Sequence, residues 1–127
     1  MPITIGMTGT ASSIVTEKDT AKVVKSGSLP VLATPVLSAL MEEAACAAIQ
    51  DSLLDNETTV GGFIGLTHKA PTLPGETITA TATVTAVKGK KISYHITAKD
   101  AHGEIGEADH TRFLVLADRF MEKAKER

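Results

Sequence analysis

Glu42 and Glu43 stand side by side in an otherwise apolar run, VLSALMEEAACAAIQDSLL from Val36 to Leu54. A carboxylate among apolar residues is costly unless it is paired or protonated, so such a residue marks an ion pair or a working acid or base. On a helical projection of about 100° per residue, Glu43 falls beside Gln50, whereas Glu42 falls between Ser38, Cys46, Ile49 and Leu53. Glu42 is the more anomalous of the two. His68 has the strand parity of Val60, Ile64 and Leu66, which turns it toward the helix rather than solvent. Alone it reads as a hydrogen-bonded core histidine; beside a buried Glu it reads as half of an acid–base unit. Thr34, before Pro35, reads as a helix N-cap. Val60-Gly61-Gly62 breaks its strand, either as a bulge or as a place where a ligand meets backbone N–H groups. In the last strand His110 and Arg112 share a face, and Arg112 suits an acid or a phosphate.

Other chemistry is poorly supported. Four His without tight spacing do not make a metal site, and a single Cys excludes both a disulfide framework and a Cys-based zinc site. Cys46, with no cation near it in sequence, reads as inert packing. His95 falls on a solvated strand face and His102 in a turn. Lys88, Lys90 and Lys91 form a basic hairpin tip, a solubility device or a phosphate contact. A net charge of −2 provides no field for nucleic acid or an anionic membrane surface. The longest uncharged apolar stretch, Ser28 to Met41, is interrupted by Pro30 and Pro35 and falls short of the roughly 20 residues of a membrane helix. The N-terminus lacks the basic start and apolar run of a signal peptide, so a cytoplasmic protein is expected.

The elements that must position these residues follow from pattern. A chain of 127 residues suits one domain. No Trp, one Tyr and three Phe stand against 17 Ala and 17 Thr, so the core is built from small residues at close approach, with Thr favouring strands. Residues 7–15 read as a first strand. Thr16-Glu17-Lys18-Asp19 has the form of a capping box, and Gly27 lies where the short helix over 17–25 would stop. From Pro35 to about Leu54 strong helix formers predict a long helix, apolar round nearly its whole circumference and so buried on most sides. Residues 58–68 make a strand. In ETITATATVTAV, Ile78, Ala80, Ala82, Val84 and Ala86 share one face, and Ile92, Tyr94, Ile96 and Ala98 continue it after the Lys88-Gly89-Lys90 turn. Residues 104–116 form a strand of poor alternation, as expected if both faces are partly covered, and a charged helical tail begins at Ala117. The fold class is α+β, a long helix wrapped by a curved antiparallel sheet. One sheet round one helix leaves an edge and a broad face uncovered, which predicts a dimer.

The stretch L-A-T-P-V-L-S-A-L-M-E-E-A from Leu32, T-V-G-G-F-I-G-L-T-H-K-A-P-T-L-P-G from Thr59 and G-E-I-G-E-A-D-H-T-R-F-L-V-L from Gly103 resemble the hotdog-fold thioesterases of the fluoroacetyl-CoA thioesterase-like branch. The Thr-x7-Glu and Gly-x6-His spacings carry most of the likeness. The resemblance implies a hotdog fold over 1–127, a homodimer or larger assembly with sites near the subunit interface, and hydrolysis of acyl-CoA thioesters without metal or redox cofactor. It places the catalytic threonine, glutamate and histidine on Thr34, Glu42 and His68, and the active-site glycine on Gly61. Gly62 and Arg112 join as expected substrate contacts, Arg112 toward the CoA phosphates. Fluoroacetyl-specific members carry phenylalanines before the threonine, whereas Lys25 to Leu29 here hold no aromatic residue. The resemblance thus implies a short or modest acyl group without implying fluoroacetyl selectivity. The same fold also serves hydratases or dehydratases of enoyl or hydroxyacyl thioesters, and non-catalytic modules that bind CoA or a protein.

Overall fold

The long helix starts one residue away from the expected cap. In the computed structural model, which describes residues 2–127, Ala33 is the extended N-cap and helix α2 runs Thr34–Ile49, ending in a 3₁₀ turn at Gln50–Ser52. Pro35 sits in the first turn, where a missing N–H costs nothing. Thr34 is therefore inside the helix, and its hydroxyl is free of capping duty.

Five strands curl round α2. They are β1 (Thr8–Ile14), β2 (Glu57–His68), β3 (Thr77–Lys88), β4 (Lys91–Asp100) and β5 (Gly103–Leu116), and the sheet order is β1-β3-β4-β5-β2. All pairings are antiparallel. β2 does not neighbour β3; it pairs with β5 and forms one edge of the sheet, with β1 at the other. The Thr-rich alternation holds through Val84: Ile78, Ala80, Ala82 and Val84 of β3 and Ile92, Tyr94, Ile96 and Ala98 of β4 are buried against the helix, but a register shift between Val84 and Ala86 takes Ala86 off that face and packs Val87 against the core instead. This is the hotdog arrangement that the resemblance implies.

Three expectations change. β5 alternates well from Gly106 onward, with Gly106, Ala108, His110 and Arg112 buried, and its pattern was masked because two of these inward residues are polar. α2 is not enclosed all round: Leu37, Leu40, Met41, Ala44, Ala45 and Ile49 are buried, while Ala39, Glu43 and Ala47 form an open strip in the single chain. The short helical region is split into a 3₁₀ turn, Glu17–Asp19, and α1, Ala21–Val24, by the buried Thr20, whose hydroxyl donates to the Glu17 carbonyl at 2.8 Å. The Asp19 carboxylate reaches back to accept from Thr16 N–H at 2.8 Å, the carboxylate half of the capping box. The chain then reverses at Lys25, which takes a left-handed φ of 70°, before Gly27 is reached. The charged tail forms α3, Ala117–Lys125, as expected.

Small residues set how closely helix and sheet approach. A Cβ built on Gly9 of β1 would stand 2.5 Å from the Ala44 carbonyl oxygen of α2 and 2.7 Å from Ala48 Cα. Both are backbone atoms, so relief requires moving the helix. Gly9→Ala is expected to cost about 1–3 kcal/mol or more as overpacking; a lowered urea midpoint at unchanged m-value checks it, and Gly27→Ala, whose Cβ would meet only the Ala21 side chain at 3.3 Å, is the control.

Candidate active site

Antiparallel passage of α2 over β2 places the helix start beside the strand end. There the Thr34 hydroxyl and His68 Nδ1 lie 2.8 Å apart. The pair borders a cavity of about 300 Å³ whose walls include Ala21, Ser26, Val31, Ala70 and Pro71. His68 Nε2 is buried and makes no hydrogen bond. Burial pushes the His68 pKa below the usual 6.5, and the nearby Ala70 backbone opposes this less strongly. The ring is thus neutral at pH 7 and has one nitrogen able to take up a proton.

Glu42 lies two turns further along α2, about 12 Å at 1.5 Å per residue. Its Oε2 accepts from Arg112 Nη1 at 3.1 Å, while its side chain remains 38% exposed. It opens on a second cavity, about 260 Å³, bordered by Gly61, Gly62, Phe63, Ile64 and His110. A Cβ on Gly61 would stand 2.7 Å from Glu42 Oε2, so only glycine lets the strand backbone come this close to the carboxylate.

The strand break at Gly61-Gly62 is a bulge. The β2–β5 register slips between Gly61 and Phe63, leaving Gly62 as the extra residue. Since strand faces alternate with period two, one extra residue inverts them. Val60 is thereby removed from the face of Ile64, Leu66 and His68, contrary to the parity expected from sequence, and Thr59 turns inward instead. Thr59 is buried and accepts from Arg112 Nε through its hydroxyl at 2.9 Å and from Nη2 through its carbonyl at 3.1 Å.

These bonds revise the reading of Arg112. Its guanidinium is engaged by Glu42, Thr59 and His110 Nε2, and the residue is only 7% exposed. It serves the acid named as one of its two possible partners, and its guanidinium is enclosed by these groups rather than presented at the surface. The Lys88, Lys90 and Lys91 tip is exposed. Thr34 pairs with His68, not with Glu42. The structure therefore gathers the six expected site residues into two groups within the chain: Thr34 with His68, and Glu42 with Gly61, Gly62 and Arg112. Thr59 and His110 were missed. The signal for His110 was its shared face with Arg112; for Thr59 the bulge had hidden the true parity. Among the described residues no three His, Cys, Asp or Glu side chains are grouped to hold a metal ion, and no helix is long and apolar enough to cross a membrane.

Comparison with known proteins bears on this site. The family model for fluoroacetyl-CoA-specific thioesterases matches residues 15–118. The fluoroacetyl-CoA thioesterase of Streptantibioticus cattleyicolor is 35% identical over 97 residues, 76% of this chain and 70% of that one. A solved structure of the fluoroacetyl-CoA-specific thioesterase superposes with a TM-score of 0.94 at 28% identity, covering 100% of this chain and 98% of that chain. A mutant of it in complex with fluoroacetate and CoA superposes with a TM-score of 0.87 at 30% identity, over 93% and 99% of the two chains.

Burial lowers the pKa of His110 as it does that of His68, with the Arg112 charge acting in the same direction and the Phe63 carbonyl and Glu42 against it. An unfolded chain takes up these protons first, near 6.5, while the folded protein still holds both rings neutral. Stability therefore rises with pH through this window and is lost as pH falls below about 6.5. The urea midpoint should drop between pH 7 and pH 5.5, above the ordinary carboxylate range. His68→Gln should flatten part of that slope.

Proposed function

The chain belongs to the fluoroacetyl-CoA-specific thioesterase family, and from that premise we propose that it hydrolyses the thioester of a short or modest acyl-CoA to free acid and CoA. The observation that carries the reading is Glu42: a partly exposed carboxylate, fixed at one oxygen by a buried arginine and set against bare glycine backbone. Oε1 is left to attack the thioester carbonyl or to take a proton from the attacking water. The backbone at Gly61 and Gly62 stands where charge develops on the carbonyl oxygen, a contribution of about 3 kcal/mol per good donor. His68, neutral at rest and oriented by the Thr34 hydroxyl, takes up the proton released as water adds to the thioester and passes it from the imidazolium to the departing thiolate, which restores the neutral ring.

This chemistry needs the two groups to meet one substrate. Within one chain they stand too far apart to act on one C–S bond, so both are used only where a homodimer or larger assembly brings Thr34 and His68 of one protomer to Glu42 of its partner near the subunit interface. The free β2 edge, with Phe63 60% exposed, and the open α2 strip supply apolar and unpaired surface for that contact. The free Cys46 thiol fits a reducing, cytoplasmic setting. No hydration chemistry is favoured by any of these contacts.

A panel of acyl-CoAs, fluoroacetyl-CoA included, assayed by thiol release tests the reading; absence of release from every member overturns it. Glu42→Gln should lower kcat by about 10²-fold or more while the protein stays folded, as expected for loss of a positioned acid–base group. Glu43→Gln, on the open strip, should stay within a few fold. Equal losses in the two variants would remove Glu42 from its role. Sedimentation at micromolar concentration should show a dimer or larger species, and a folded, active monomer would remove the interface argument.

A further inference from the structure

His110 lies on the wall of the Glu42 cavity, nearly fully buried, and takes no part in the steps above. Its two ring nitrogens face partners of opposite kind. Nδ1 lies 2.6 Å from the Phe63 carbonyl oxygen, which only accepts. Nε2 lies 3.3 Å from Arg112 Nη1, which only donates. The ring must therefore carry its proton on Nδ1 and a lone pair on Nε2, a neutral imidazole of one tautomer. The rest of its surroundings support the same state. Its ring stacks on Tyr94 at a centroid distance of 5.8 Å, and burial, as the largest influence, disfavours the charged form.

The two partners belong to the parts that present the carboxylate. Phe63 follows the bulged Gly62, where the ladder pairing of β2 is disrupted, and its carbonyl is held by this ring. Arg112 holds Glu42. We infer that His110 is a positioning residue of the hydrolase: its neutral ring ties the β2 bulge to the Arg112–Glu42 pair and so sets the carboxylate against Gly61. The inference rests on Glu42 as the acting carboxylate. A ring protonated at Nε2 would point a second donor at Arg112 and loosen its hold on Glu42.

Two measurements on the intact protein test this. In ¹⁵N-edited ring spectra at pH 7, His110 should show a proton on Nδ1 and a bare Nε2; a proton on Nε2 overturns the inference whatever the activity. His110→Phe keeps a flat ring on Tyr94 and loses both nitrogens. It should lower kcat by about tenfold or more with KM changed less than about threefold, the pattern of a lost transition-state arrangement. His110→Gln, a planar group with one donor and one acceptor, should recover most of kcat. A folded His110→Phe with unaltered kcat, or equal losses in both variants that follow their urea midpoints, overturns the positioning role. If His110→Phe does not fold, His110→Asn, whose shorter amide reaches Phe63 but places no acceptor at the Nε2 position facing Arg112, carries the kinetic arm with the same thresholds. Thiol release by the unsubstituted protein separates the two readings. Release with insensitive His110 variants overturns only this inference, and no release from any acyl-CoA overturns both.

Discussion

A guanidinium placed between a helix and a sheet must find acceptors within the protein, because water no longer reaches its N–H groups. Arg112 meets that demand with the Glu42 carboxylate from α2, the Thr59 hydroxyl and carbonyl from β2, and the His110 ring from its own strand. Each of these bonds also fixes something else. They set the depth at which α2 lies in the sheet, hold the edge strand β2 to β5 beyond its backbone ladder, and fix one oxygen of the Glu42 carboxylate where it opens on its cavity. A neutral residue at this position would remove the reason for Glu42 to stand where it does. Structural demand and chemical use coincide in this charge pair, so a stability effect and an activity effect at Arg112 have the same origin.

The bulge at Gly62 is the second determinant, and it works through geometry. One extra residue inverts the faces of β2, so Thr59 and Gly61 point inward before it and Ile64, Leu66 and His68 after it. Without the bulge, either Thr59 would lose Arg112 or His68 would lose Thr34. Small residues elsewhere allow this closeness. Gly9 meets the α2 backbone directly, Gly61 meets Glu42, and the inward faces of β3 and β4 carry Ala80, Ala82 and Ala98 where larger side chains would lift the helix away. The Ala-rich, aromatic-poor composition is the chemical expression of a helix lying very near its sheet.

The site divides its labour by environment. Thr34 and His68 sit where burial keeps the imidazole neutral and therefore able to give or take a proton near pH 7. Glu42 sits in a polar, partly open setting where a carboxylate is held by charge. Fold alone does not specify hydrolysis, since the same helix-in-sheet arrangement serves other thioester reactions. The placement of these two groups in different surroundings is what the proposed chemistry rests on.

Much of this was legible in the chain. Period-two alternation placed the inward faces of β3 and β4, helix formers placed α2, and the projection of that helix singled out Glu42 over Glu43, because periodicity is a local property that each segment carries by itself. The spacings from Thr34 to Glu42 and from Gly61 to His68 also survive in the sequence, since each lies within one element. What tertiary structure alone decided were the meetings between elements. Thr34 gave up its expected capping role for His68 across 34 residues, and Arg112 found Glu42 across 70. The parity of β2 depended on a bulge whose side of the ladder only pairing with β5 defines. Register, bulge and partner choice are set by which surfaces pack together, and no window along the chain contains both surfaces.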